Sequence, residues 1–317
     1  MVLMLSLWML FPGVALPSRR AARLPRARAG LAHSMTVSLS KQEAAEEAYW
    51  RRWFWEQAEQ AVNERFSSAS KRELKRVRDY IKANSEDGPK KRFAGLLPKK
   101  LSKNPQYEVI GGFFPGLTVT PFHECTGQPW DALAQAYPAI KAELDVLIAR
   151  DKEFVDVGKP LGWRTMPIYY KGVLQPDFPA ADCPKTMEAL SKLRLAGETV
   201  AFQRQSPLTG LPRHVDPCSW VLACHMGIAC PDEGGSLKPY IDVAGTKYHW
   251  EDGKVMLFDP SFKHQTFNPT SQERIILNID IFHPDLSDLE CEAIRLTIDL
   301  KKKLFGSTEE EVHETRR

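Results

Sequence analysis

His214 and Asp216 stand two residues apart in the stretch Pro212-Arg213-His214-Val215-Asp216-Pro217. On an extended chain, residues i and i+2 lie on one face, so both side chains can reach a single metal ion. A third ligand is expected from His264, 50 residues downstream in Ser261-Phe262-Lys263-His264-Gln265. Two histidines and one carboxylate form the facial set that leaves three positions open on Fe(II) for a co-substrate and oxygen. Arg274 opens the apolar run Arg274-Ile275-Ile276-Leu277-Asn278-Ile279-Asp280-Ile281. A guanidinium at the edge of a buried strand needs an anionic partner, because burying an unpaired charge is costly. Its fixed fork suits a carboxylate, so a dicarboxylic co-substrate would meet that need.

Each residue also has a plainer reading. Asp216 before Pro217 can be a turn former. His225, on an apolar strand, can be a satisfied core histidine. Arg274 can cap its strand and pair at the surface with Glu273 or Asp280. On the residues alone, a zinc hydrolase and a cupin-like binding module without turnover both stay open.

The elements that must position these residues are short strands. From Thr199 onward, apolar runs alternate with turn signals such as Asp232-Glu233-Gly234-Gly235 and Glu251-Asp252-Gly253. That texture predicts a mainly β sandwich or barrel. Trp130 to Arg150 reads as an amphipathic helix kinked or split at Pro138. Pro184 to Leu195 and Asp285 to Leu304 read as further helices. Residues 41–84 form a helical segment in which Trp50, Phe54, Ala58 and Ala61 share a face. The aromatic cluster Tyr49 to Trp55 reads as core or an interdomain contact. Residues 85–105, rich in proline and lysine, form a linker. The catalytic region then occupies 106–305, and 306–317 is a charged tail expected to be disordered.

Net charge is +3 over 317 residues. Five arginines and no acid lie within the first 40 residues, which leaves the remainder near −2. Nothing in that balance calls for nucleic acid. The opening apolar run, Leu3 to Phe11, is too short to span a bilayer. Behind it comes Arg- and Ala-rich sequence, as in transit peptides. Together they suggest a two-part leader over residues 1–40 that directs the chain to a membrane-bounded organelle. A plastid is favoured, with the secretory pathway or mitochondrion as the alternative. No stable membrane span is expected in the mature chain. None of the six cysteines forms a Cys-x-x-Cys pair, so they read as small buried side chains.

From about Phe114 to about Leu300 the chain resembles the aspartyl/asparaginyl β-hydroxylase family. The carrying segments include Pro121-Phe122-His123-Glu124 with Pro129-Trp130, and Trp163 with Tyr169-Tyr170-Lys171-Gly172. Further on come Arg213-His214-Val215-Asp216-Pro217 and Cys224-His225-Met226-Gly227-Ile228. Next are Trp250-Glu251-Asp252-Gly253-Lys254 and Phe258-Asp259-Pro260-Ser261-Phe262-Lys263-His264, and the last is Asp280-Ile281-Phe282-His283-Pro284. The resemblance implies a double-stranded β-helix of the jelly-roll or cupin type with flanking helices. It also implies a dioxygenase that uses Fe(II), 2-oxoglutarate and O2 to hydroxylate an unactivated C–H bond. By that resemblance His214, Asp216 and His264 hold iron, and Arg274, helped by His225, holds the distal carboxylate of 2-oxoglutarate. The substrate implied is an Asp or Asn side chain in a peptide or protein, with a lipid acyl chain or small molecule as the alternative. Two positions depart from the family pattern. Ala223 stands where the family has an arginine, and Pro260 replaces the second aspartate of its Asp-Asp-Ser. Asp216 replaces the glycine of vertebrate aspartyl hydroxylases and restores the His-x-Asp-Pro of the lipid A acyl-chain hydroxylases.

Overall fold

Alternation along the long strands decides which side of a sheet each residue faces. In Val221–Ala229, Leu222, Cys224, Met226 and Ile228 point to one side, and Ala223 and His225 to the other. The structure, a computed structural model, describes residues 41–85, 99–108, 112–156, 162–235 and 237–305. The expected leader, the tail and most of the linker lie outside the described residues.

The described strands, in chain order, are β1 (Phe122–His123), β2 (Val155–Asp156), β3 (Trp163–Tyr170), β4 (Val173–Leu174), β5 (Leu195–Gln205) and β6 (Val221–Ala229). Then follow β7 (Tyr240–Val243), β8 (Thr246–His249), β9 (Val255–Phe258), β10 (His264–Phe267) and β11 (Arg274–Phe282). They form a large antiparallel sheet in the order β1-β9-β6-β11-β5-β3-β2, with β4 on β3, and a small sheet, β10-β7-β8. Sequence neighbours are split between the sheets, as in a double-stranded β-helix, which is the fold expected from the sequence.

One face of the large sheet carries Leu222, Cys224, Met226, Ile275, Leu277 and Ile279 against helix α4 (Trp130–Ala149) and helix α5 (Pro184–Ser191). Leu133, Ile140, Leu144 and Leu147 of α4 are buried there. Truncating any one of these leucines should cost about 2–5 kcal/mol. Pro138 lies inside α4, which continues through it, so of the two expected outcomes the split does not occur. The leucines before and after it dock on the same core. Glu143 ties the two helices together by accepting the Lys185 and Thr186 N–H groups at the start of α5, at 2.7 and 2.8 Å.

At the other end of the sheet, helices α1 (Lys41–Arg65), α2 (Lys75–Ser85) and α6 (Asp288–Phe305) share a second core with Trp220, Val221 and Phe282. The aromatic cluster of α1 divides. Phe54 is buried and Trp55 packs on Tyr80, whereas Tyr49 is 57% exposed. A short helix α3 (Lys99–Ser102) lies inside the expected linker. The cysteines do not share one strand face. Cys224 is inside β6, Cys218 and Cys230 lie outside it, and all six are free thiols.

Candidate metal centre

The inner face of the large sheet looks towards the small sheet, and the site residues are divided between the two. Residues 209–214 run beside β10 as an irregular outer strand, with bridges Thr209↔Asn268 and His214↔His264. Gly210 permits this approach, since a Cβ there would lie 2.1 Å from the Thr266 carbonyl oxygen. His214 and His264 exchange both backbone hydrogen bonds at 2.9 Å. Side chains of such a directly opposed pair project from one face, and the two imidazoles sit with centroids 4.2 Å apart.

Each ring is held in the same way. Nδ1 of His214 meets the Pro212 carbonyl, and Nδ1 of His264 the Phe262 carbonyl, both at 2.8 Å. A carbonyl can only accept, so Nδ1 carries the proton and Nε2 keeps its lone pair. Burial pushes His264 down to about 4, which keeps it neutral. Asp216 completes the group, with its Oδ1 3.9 Å from His214 Nε2. Its backbone N–H donates to the Pro260 carbonyl at 2.8 Å. Pro260 therefore serves by its carbonyl, which proline retains. One ligand atom from each of His214, Asp216 and His264 lies within 4.8 Å of the others, the one such group among the described residues. The Asp216 side chain is half exposed and that of His214 19% exposed, so one side of the centre is open. Two imidazoles with Nε2 turned to one point and a carboxylate fit a ferrous ion.

Arg274 begins β11 and is fully buried. This overturns the reading of a surface strand cap, and Glu273 pairs with Arg204 instead. The guanidinium lies over the Trp250 and Trp163 rings at 4.3 and 5.3 Å. Its Nη2 donates to Gln205 Oε1, directly opposite in the β11–β5 register. Its Nε and Nη1 have no hydrogen-bond partner. Burial lowers Arg274 to about 10, so it remains charged at neutral pH. A buried cation with two idle donors and no carboxylate partner fits an incoming carboxylate. Gly227 helps to assemble this corner. A Cβ there would fall 2.1 Å from the Glu251 carbonyl oxygen, so only glycine lets the turn carrying Trp250 lie against β6.

His225 sits between the two corners. Its ring is 5.1 Å from Phe258 and 6.0 Å from Trp250, and Phe258 in turn is 5.3 Å from His264. Its Nδ1 is buried without a partner, while Asn278 supplies a side-chain hydrogen bond to the ring. Burial, with the Arg274 charge adding to it, pushes it down to about 3. Ala223, beside it, packs among Phe258 and Ile276. Sequence reading missed Gln205, Trp163 and Trp250 as partners of Arg274. Their signal is cross-strand register, which appears only once strands are paired.

Residues 134–284 match the sequence profile of a family described as aspartyl/asparaginyl beta-hydroxylase. An ornithine lipid ester-linked acyl 2-hydroxylase from Rhizobium tropici is 31% identical over 204 residues, covering 61% of this chain and 68% of that protein. Aspartate beta-hydroxylase domain-containing protein 2 from Rattus norvegicus is 28% identical over 241 residues, covering 69% and 68%. Among solved structures, a viral collagen prolyl hydroxylase from Paramecium Bursaria Chlorella virus-1, in complex with 2OG, aligns with 22% identity and a TM-score of 0.30, over 45% of this chain and 89% of that one.

Proposed function

Because the chain belongs to the aspartyl/asparaginyl β-hydroxylase family, we propose that it is an Fe(II)- and 2-oxoglutarate-dependent dioxygenase that hydroxylates an unactivated C–H bond. The observation that carries this reading is the pairing of two incomplete sites: three metal-ligand side chains converging on one point, and a buried arginine with two idle donors. Bound iron and 2-oxoglutarate supply the oxidising chemistry together with O2. His214 and His264, each held through Nδ1, would present Nε2 to the ion, and Asp216 would add its carboxylate on the open side. Arg274 forks onto the distal carboxylate, and the Trp163 and Trp250 rings keep water from it. His225, kept neutral by its burial, would offer that carboxylate a hydrogen bond.

The substrate proposed from the family is an Asp or Asn side chain of a peptide or protein. An acyl chain is the second reading, favoured by Asp216 in its His-x-Asp-Pro setting and by the similarity to the acyl 2-hydroxylase. Placement in a membrane-bounded organelle, a plastid first, is proposed from the Arg- and Ala-rich, acid-free composition of residues 1–40. No described helix is long and apolar enough to cross a membrane. The test is iron-dependent conversion of 2-oxoglutarate to succinate, followed by untargeted mass spectrometry for a product heavier by one oxygen. Purified, iron-loaded protein that forms no succinate with a peptide library or a lipid extract would sink the proposal.

A further inference from the structure

Away from the Arg274 corner, a cavity of about 320 Å³ opens between the β3–β4 hairpin, the start of β5 and α6. Tyr169, Leu195, Val200 and Ile298 give it apolar walls, and its charged lining is Lys171, Glu198, Arg295, Asp299 and Lys302. The cations outnumber the acids there. Lys301 stands behind them, close enough for its charge to act on Glu198.

Two features suggest that the arrangement is built rather than incidental. Lys171 and Gly172 form the two-residue hairpin tip, with φ of 49° and 74°. That turn demands positive φ at both positions, which is strained for a lysine and free for asparagine or glycine. Backbone strain of this kind clusters at binding sites. The tip is also clamped from α6, where Lys302 Nζ donates to the Lys171 carbonyl at 2.6 Å and lies 3.7 Å from Asp299 Oδ1.

Burial pushes Glu198 up to about 7, the lysines act against this, and the Asp216 carboxylate adds to it. Near neutral pH, Glu198 is therefore partly protonated and able to donate to an anion.

We infer that this cavity is an oxyanion subsite, in which Lys171 and Lys302 hold a carboxylate or phosphate of the molecule presented to the metal centre. The assignment to a substrate rests on the proposed oxygenase reading; the anion site itself does not. Tyr170 and Val173 flank the tip and Leu304 follows Lys302, all at least 37% exposed. The anion can therefore belong to a soluble molecule or to a lipid headgroup.

Phosphate titrated calorimetrically into the metal-free full chain should bind saturably. Lys171→Asn keeps a residue that tolerates the turn, Lys302→Gln keeps a polar side chain, and each removes one charge. Each should weaken binding about ten- to a hundredfold, the worth of one charge-assisted contact. Absence of saturable binding, or equal affinity in parent and both variants, would overturn the subsite. If Lys302→Gln fails to fold, Lys171→Asn decides alone. With Mn(II) bound at the three-ligand site, phosphate relaxation measured by 31P NMR should be enhanced in the parent and not in the variants. Binding without enhancement would place the cavity remote from the metal and refute its substrate role. Co-sedimentation with phosphatidylglycerol but not phosphatidylcholine vesicles, lost in both variants, would assign the anion to a lipid headgroup. Phosphate binding without sedimentation would assign it to a soluble molecule. Phosphate binding requires neither iron nor turnover, so this test and that of the oxygenase reading fail independently.

Discussion

Two histidine pairs of this chain look alike at first sight and are held differently. His214 and His264 have ring centroids 4.2 Å apart, and His123 and His283 5.0 Å apart. In the first pair each Nδ1 is spent on a carbonyl two residues upstream, and each Nε2 is left for a ligand. In the second, His283 spends both nitrogens. Nε2 meets the Thr118 carbonyl at 2.9 Å, and Nδ1 accepts the Asp285 N–H at 3.1 Å. His123 packs edge-on against it as the outer member of a structural pair. Ring proximity therefore does not make a site. A free nitrogen on each ring and a carboxylate facing both do.

The sharpest break between the pairs should come from alanine substitutions. His264→Ala should abolish stoichiometric iron binding while leaving the sheets folded, because a ligand contributes more than the outer partners whose loss already costs about 10–100-fold. His283→Ala should keep iron and lose stability instead, since it leaves the Asp285 N–H and the Thr118 carbonyl without their partner. Anaerobic iron titration beside thermal unfolding reads both. Iron retained by His264→Ala with unchanged affinity would refute the ligand assignment.

Arg274 extends the same logic to a cation. Arg204 pairs with Glu273 at 3.3 Å, whereas Arg274 has a neutral Gln205 partner and two donors to spare. Truncating one partner of a buried charged pair costs about 3–5 kcal/mol. Arg274→Ala should therefore raise the half-saturating 2-oxoglutarate concentration by about a hundred- to a thousandfold or more. Arg274→Lys should recover only part, for want of the fork. Iron binding should persist in both. An unchanged half-saturation point would remove Arg274 as the anchor.

That His214, Asp216 and His264 would come together was legible in the sequence because the signals are local or nearly so: a spacing of two, and a distal histidine inside a recognisable segment. The mainly β fold was legible from turn residues between short apolar runs. The inner and outer faces of β6 and β11 were not. Both strands are apolar almost throughout, and only pairing and the docking of α4 reveal that Cys224 faces the helices while His225 faces the site. Arg274 was legible as a charge in an apolar run. Its tryptophans and Gln205 come from three other segments, and the pairing of strands distant in sequence brings them together. Of the two outcomes expected at Pro138, a kink or a split, the split does not occur. Local chemistry says that a proline breaks a helix, and the leucines on both sides of it keep α4 whole against the sheet.

The smallest expected effect tests the structural pair by pH. Burial, with His283 adding to it, pushes His123 down to about 4 from an ordinary value near 6.5. Between these two values the unfolded chain binds a proton at His123 that the folded chain refuses. Stability owed to the neutral ring is thus fully present above pH 6.5 and is lost as pH falls towards 4. A shift of this size bounds the effect near 3 kcal/mol, and partial exposure of the ring reduces it to about 1–2 kcal/mol. His123→Phe keeps an aromatic ring against His283 and cannot take up the proton. Metal-free parent and variant, unfolded in urea at pH 7 and at pH 4.5, should therefore differ in acid sensitivity, with the variant losing about 1–2 kcal/mol less. His264 and His225 also titrate downward and remain in both proteins, so the difference isolates His123. Iron affinity at pH 7 should be the same in the two. A variant as acid-sensitive as the parent would mean that His123 is not held neutral by its burial. A variant with weakened iron binding would mean that the second pair serves the metal centre after all.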